Sequence, residues 1–245
     1  MKQVVCMKWG TLYGPEYVNK LYGMVKRNMK GDFRFVCLTD NPNDVRPEVE
    51  CLPCPTIDIP EPLNNTGWRK LTLWAASLEK MTGDWLFLDL DVVVTGNLDD
   101  FFDYQPEKTF VVMQNWTQPD SGIGNTSVYR FKVGSHPYLL ENMVQAPLEQ
   151  VERYRNEQTY ISKTISEISF WPDDWCVLFK THCVPPMPVR WWKAPVLPDN
   201  ARVVAFPGEP NPDKAVKGIW PAKKWYKKIY KHIKPATWIN DYWQE

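Results

Sequence analysis

No apolar run in this sequence approaches the ~20 residues that a membrane-spanning helix needs, although hydrophobic residues make up 44% of the 245. The first apolar stretch, Val4 to Met7, stops at Lys8 and is too short for a signal-peptide core. The expected setting is cytoplasmic. Excess charge is lacking too: 29 basic residues balance 29 acidic ones, so the chain as a whole does not read as a nucleic-acid binder. Histidine is scarce. His136, His182 and His232 are the only three, and they share no spacing that assigns them to catalysis. The six cysteines (Cys6, Cys37, Cys51, Cys54, Cys176 and Cys183) contain one C-x-x-C, at 51–54. A structural zinc site wants four ligands, and the spacing of Cys176, His182 and Cys183 completes no finger or ribbon. Reduced thiols suit the expected compartment. There is no internal repeat and no low-complexity linker. The segment Lys8–Gly14 is a poor version of the Gly-rich, cationic loop that a nucleotidyltransferase carries after its first strand.

Aromatics are plentiful, with 13 Trp; they suit both core packing and the stacking of sugar rings. The apolar patterning is that of an α/β protein. Gln3–Met7 predicts a buried strand. Pro15 opens a helix whose apolar face is Val18, Leu21, Tyr22 and Val25. Gly31-Asp32 breaks it, and Phe33–Leu38 predicts a second strand. Strand, helix and strand within some forty residues make a β-α-β unit and a parallel sheet. Residues 42–62 hold six prolines and predict an extended loop with a short strand at Val49–Leu52. The spacing of Leu71, Trp74, Leu78 and Met81 predicts a helix over Gly67–Met81. Further strands are expected at Phe110–Met113 and Ser127–Phe131, and helices at Pro137–Val144 and Glu157–Ile168. Nine prolines between Trp171 and Pro212 predict irregular chain with one or two short strands.

The carboxylate pair Asp89-Leu90-Asp91 ends the all-apolar strand Trp85-Leu86-Phe87-Leu88. Ligands of parallel sheets bind beyond the carboxyl ends of the strands. Alternation puts both Asp side chains on one face. Two adjacent carboxylates repel and ask for a cation; hard oxygen ligands select Mn²⁺ or Mg²⁺, which take one or two carboxylates plus substrate phosphates. A nucleoside diphosphate leaving group is the matching substrate chemistry. The same motif also fits a capped turn, or a haloacid-dehalogenase-like phosphatase with Asp89 as nucleophile. The phosphatase reading lacks the Gly-Thr that should follow and the later partner motifs.

Several segments, in order, resemble the family 8 glycosyltransferases, the group of glycogenin and the lipopolysaccharide galactosyltransferases. Lys70-Leu71-Thr72-Leu73-Trp74 is similar to the family's K-L-x-x-W element, whose Lys reaches the donor. Phe87–Phe102 is similar to its F-x-D-x-D stretch with the following N-x-D-x-L/F-F. Asp120-Ser121-Gly122 stands where the family has Asn-Ser-Gly beside the donor sugar. Asn156-Glu157-Gln158 matches its D-Q near the reacting sugar. Ala205–Pro212 resembles its His-Phe-x-Gly-x-x-Lys-Pro, with Ala205 in place of a metal-binding His, Gly208 retained, and Asn211 in place of a diphosphate-binding Lys; Lys214 and Lys217 are candidate replacements.

The resemblance implies a GT-A (Rossmann-like) α/β domain with a mostly parallel sheet, spanning 1–212. It implies transfer of a hexose from a UDP-sugar to an acceptor hydroxyl, assisted by Mn²⁺ or Mg²⁺, with retention of configuration. Asp89 and Asp91 would hold the metal, and Glu157 and Gln158 would flank the sugar. The donor would meet Lys70, Asp120, Ser121, Gly122 and Gly208. By position alone, Trp9 and Tyr13 after the first strand suit stacking on the base and core packing alike, and Asp40 at the end of the second strand is placed for base or ribose. The acceptor would be a glycan or lipid-linked sugar. A non-catalytic nucleotide-sugar-binding or glycan-binding protein of the same fold is the alternative, motivated by Ala205 and Asn211. Residues 213–245 hold eight Lys against three acids. The spacing of Trp225, Tyr226, Ile229, Tyr230 and Ile233 predicts a basic amphipathic helix over Pro221–Lys234. Such a helix suits peripheral attachment to an anionic membrane surface, at its inner face, and equally packing of its aromatic face on the body with the Lys side chains solvated.

Overall fold

The computed structural model describes residues 1–222 and 224–245. Strand β1 (Lys2–Lys8), helix α1 (Pro15–Asn28) and strand β2 (Phe33–Thr39) form the expected β-α-β unit. β1 and β2 pair in parallel, from Lys2 opposite Phe33 to Lys8 opposite Thr39. Pro15 stands in the first turn of α1, where its missing N–H costs nothing. The helix buries Val18, Leu21, Met24 and Val25 against the sheet.

β3 (Glu50–Pro53) adds to β2 in parallel. β4 (Asp84–Leu88) pairs in parallel with the other edge of β1. β5 (Val92–Val94) leaves this sheet, whereas β6 (Phe110–Gln114), β7 (Gly124–Lys132) and β8 (Ser169–Phe170) complete it. The strand order is β3-β2-β1-β4-β7-β6-β8. β7 runs against both neighbours, and the other neighbouring pairs are parallel. β9 (Cys176–Leu178) and β10 (Val203–Ala205) join β5 in a second, three-stranded sheet. These are the short strands expected in the proline-rich region.

Short helices fill the connections: α2 (Asp100–Asp103), α3 (Tyr138–Gln145), α4 (Pro147–Arg153) and α5 (Glu157–Thr164). α5 stops four residues before the expected Ile168; its start is capped by Asn156, whose side chain accepts the Thr159 N–H at 3.0 Å. One core lies between the large sheet, α1 and the small sheet. The other lies between the opposite face of the large sheet and the chain at 57–74, α3 and α5.

Two expected helices differ from the sequence reading. Gly67–Trp74 is a 3-10 helix, and the chain turns extended at Ala75 instead of continuing to Met81. Trp68, Leu71 and Trp74 recur every third residue, the 3-10 period, and all three are buried. Leu78 and Met81 instead bridge a turn. In the C-terminal region, α6 (Pro212–Ala215), α7 (Lys227–Tyr230) and α8 (Ile239–Tyr242) are single turns, and the helix expected over 221–234 is reduced to α7. Lys223 and the side chains of Lys228 and Ile229, which that expectation used, lie outside the described residues. Packing decides the outcome. Ile233, Ala236, Ile239 and Trp243 enter the first core, and the Ala236 N–H is given to the Ala215 carbonyl (3.0 Å) rather than to a helical turn. Arg27 of α1 donates to the carbonyls of Tyr242, Gln244 and Glu245 at 2.7–3.0 Å.

Candidate active site

A cleft of about 510 Å³ opens at the carboxyl ends of β1 and β4. Its walls come from three segments: Met7–Tyr13 after β1, Asn65–Lys70 entering the 3-10 helix, and Asp89–Asp91 after β4. Five of the expected site residues meet here, namely Trp9, Tyr13, Lys70, Asp89 and Asp91.

The two carboxylates have different partners. Lys70 donates to both oxygens of Asp89, at 2.6 and 2.8 Å, and lies 3.5 Å from the Thr126 carbonyl. Burial of Lys70 disfavours its charge, but Asp89 and Glu157 outweigh this and hold its pKa above the ordinary value. Asp91 is 8% exposed and accepts the Tyr13 hydroxyl at 2.9 Å. Burial, then the nearby charge of Asp89, push the Asp91 carboxyl up to about 7; the Tyr13 hydrogen bond and Lys70 pull the other way. Burial and Asp91 likewise raise the Tyr13 phenol well above its ordinary range. The result is a half-buried Asp89 paired with Lys70 beside a buried Asp91 that holds its proton up to about neutral pH.

That charge pattern and hard-oxygen donor set fit a small divalent cation that completes its shell with phosphate and water. The protein's own ligands are few. Among the described residues no group of three His, Cys, Asp or Glu side chains converges on one metal position. Ala205 is fully buried in β10, paired with Val92. His182 turns its Nδ1 to the Leu178 N–H (3.0 Å) and packs edge-on against Trp116.

The remaining expected residues fall around the cleft. Asp40 fixes the loop after β1 by accepting the Gly10 N–H at 2.9 Å. Glu157, at the start of α5, accepts the Thr126 hydroxyl (3.0 Å) and packs so close to Gly67 that a Cβ there would meet its Oε2 at 2.9 Å. The Gln158 carbonyl accepts the Ser162 hydroxyl, and its side chain forms no hydrogen bond among the described residues. Asp120, Ser121 and Gly122 form a turn outside the cleft lining, with positive φ at Asp120 and Gly122. Gly208 has φ +66° in the turn after β10. Lys214 is ion-paired with Glu209 and Lys217 is exposed.

Sequence reading missed the opposite wall, Asn65-Thr66-Gly67, because a polar turn between prolines and a buried helix has no distinguishing pattern. It gave no site role to Lys8, a buried lysine in the lining, which reads only as the start of the poorly matching Lys8–Gly14 loop; Lys180, outside the lining, donates to the Pro207 carbonyl beside Gly208.

No family model matches the chain, and comparison with curated protein sequences gives no significant match. Solved structures do match in fold. The galactosyltransferase LgtC in complex with donor and acceptor sugar analogs aligns with 97% of this chain and 99% of its own, at TM-score 0.62 and 12% identity. The glycosyltransferase GlyE of Streptococcus pneumoniae TIGR4 aligns with 98% of this chain and 63% of its own (TM-score 0.59, 14% identity). The bifunctional glycosyltransferase WbbM aligns with 95% and 51% (TM-score 0.57, 13% identity). With its mostly parallel seven-stranded sheet, the chain has the GT-A fold of LgtC-type glycosyltransferases, at the low identity of a divergent sequence.

Proposed function

We propose that this protein is a glycosyltransferase that moves a hexose from a UDP-sugar to an acceptor hydroxyl, with retention of configuration. The observation that carries the reading is the cleft at the end of β4, where the half-buried Asp89 and the buried Asp91 lie with Lys70 within a GT-A fold. Asp89 and Asp91 would hold Mn²⁺ or Mg²⁺, which when bound neutralises the departing diphosphate. Tyr13 orients the Asp91 carboxylate. Lys70, fixed by Asp89, adds a second positive charge beside the leaving group. Glu157 and Gln158 approach from α5 to bound the sugar, and Asp120, Ser121, Gly122 and Gly208 are the further donor contacts in this reading. Trp9 and the Asp40-anchored loop contain the nucleoside. Catalysis then rests on holding the acceptor hydroxyl against the anomeric carbon.

The acceptor in this reading is a glycan or lipid-linked sugar, met at a membrane's inner face. Exposed Trp192, Trp225 and Tyr230 support this, since Arg190 ties their two segments together through the Tyr230 carbonyl (3.1 Å). No helix among the described residues is long and apolar enough to cross a membrane.

Asp91→Ala should abolish Mn²⁺-stimulated UDP release while the protein stays folded; undiminished release from the folded variant would refute the site. A second reading, nucleotide-sugar binding without transfer, is favoured by Ala205 and Asn211. UDP binding without turnover of any UDP-sugar would establish it.

A further inference from the structure

Lys8 closes β1 and lines the cleft, yet the chemistry proposed above leaves it unused. The residue is only 5% exposed. A lysine ammonium has three donors and no acceptor, and removal from water must be offset by an anion or by several oxygens. Among the described residues Lys8 forms no ion pair. Its single hydrogen bond reaches the Asn41 carbonyl at 3.4 Å, beyond the usual range. The nearby acid, Asp40, is engaged by the Gly10 N–H. Lys8 is thus a buried cation in the cleft wall with most of its donor capacity open.

Sheet register locates it along the cleft. β1 lies between β2 and β4. Lys8 is level with Thr39 at the end of β2, and its ammonium contacts the loop that follows β2. The carboxylate pair follows β4, on the other side of β1. Ligands of such sheets lie across the carboxyl ends of the strands. A nucleotide with its diphosphate at Asp89 and Asp91 therefore extends its nucleoside over β1 toward β2.

We infer that Lys8 is a specificity-determining residue, donating a hydrogen bond to a keto oxygen of the donor's nucleobase. This rests on the UDP-sugar reading above and names the residue that selects its base. Uracil and guanine present carbonyl oxygens that a donor-only group can pair with, as lysine does with guanine in nucleic-acid recognition. Adenine carries an exocyclic amine in place of a keto oxygen and offers only ring nitrogens as acceptors, so a lysine set to meet a keto oxygen meets a donor there.

The experiment is calorimetric titration of UDP, GDP and ADP, with Mn²⁺ present, into the full-length protein and its Lys8→Met and Lys8→Arg variants, each checked by thermal melting. The wild type should bind UDP or GDP at least about tenfold tighter than ADP, the scale of one hydrogen bond to a charged group. Lys8→Met should remove most of that preference, weakening the keto nucleotide about tenfold and leaving ADP within about twofold; Lys8→Arg should restore much of the loss. Equal loss for all three nucleotides in Lys8→Met overturns the inference by showing a phosphate-binding or structural role, and unchanged UDP and GDP affinity overturns it as well. One arm needs no variant: ADP binding as tightly as UDP and GDP to the wild type is also fatal. A wild type that binds none of the three sinks the nucleotide-sugar reading and this inference with it, whereas the other adverse results sink this inference alone.

Discussion

Asp91→Asn should stabilise the ligand-free protein above neutral pH. In the fold, burial and the charge of Asp89 raise the Asp91 carboxyl from 3.8 to about 7. In the unfolded chain it titrates near its ordinary value. The folded state therefore holds this proton more tightly. The group's stabilising contribution is fully present below pH ~4 and is lost as pH rises to ~7. One unit is worth about 1.4 kcal/mol, so the three-unit rise sets a ceiling of about 4 kcal/mol lost by pH 8. Less than half of that has been lost at pH ~5. Asparagine is neutral at every pH and keeps an oxygen for the Tyr13 hydroxyl, which sits 2.9 Å from the Asp91 carboxylate. In a domain of this size 1 kcal/mol moves the melting temperature by about 2–4 °C. The variant should melt several degrees above the wild type at pH 8, with the gap at least halved at pH 5. Differential scanning calorimetry from pH 4.5 to 8.5 in a chelator reads this directly. Parallel curves for the two proteins, or a variant that melts lower at pH 8, would refute the argument that Asp91 is an electrostatically strained buried acid.

The same proton should govern the affinity for the proposed metal. Mn²⁺ should bind weakly without nucleotide and much more tightly with UDP, and its affinity should fall about tenfold per pH unit below pH ~7 because Asp91 must first be deprotonated; tight binding to the nucleotide-free protein in a calorimetric titration would mean a further ligand exists. For the membrane reading, the intact chain should sediment with anionic vesicles at low salt and not at high salt. The control should be Trp192→Ser combined with Trp225→Ser, since truncating the C-terminal region would remove Ile233, Ile239 and Trp243 from the core; equal sedimentation of the double variant would count against this surface. Retention of configuration is checked by NMR of the glycoside formed, and an inverted linkage would contradict it.

Much of the fold follows from local sequence chemistry. The β-α-β unit is legible because Pro15 opens α1 and Gly31, with φ +73°, lets the chain turn into β2. The carboxylate pair is legible because four consecutive apolar residues precede it, as a strand buried on both faces requires. Reading failed where the decision was tertiary. A spacing of three and four residues at Leu71, Trp74, Leu78 and Met81 suggests an α-helix, but the nearly complete burial of Trp68–Trp74 removes the two-sided environment on which that periodicity depends. In the C-terminal region the apolar residues match a helical stripe, but Ile233 and Ala236 bury more by running along the body, and a basic face alone does not hold a helix together. Lys8 was beyond sequence reasoning, since a lysine at a strand end reads as solvated until the loop after β2 covers it.

The site's charges also bear on how Ala205 would be tolerated under the proposed metal-assisted transfer. Ala205 pairs with Val92 inside the small sheet and is fully buried. Its backbone neighbour Phe206 donates its N–H to the Asp91 carbonyl at 3.0 Å, so this stretch supports the carboxylate loop through main chain and packing. Phe206 stacks on Phe179 at 4.5 Å, and the adjacent Lys180 reaches the Pro207 carbonyl. Lys70 is bound directly to Asp89, while Lys180, outside the cleft lining, is half-buried, its pKa lowered by burial and by Lys231 against the opposing charge of Asp91. A cleft with resident cations needs less from a metal than one lined by carboxylates alone, because each ammonium already offsets part of the diphosphate charge. In the proposed transfer two carboxylates would capture a cation that arrives with the nucleotide, and diphosphate oxygens would complete its shell. Metal and donor binding are thereby coupled: each should tighten the other by the same factor.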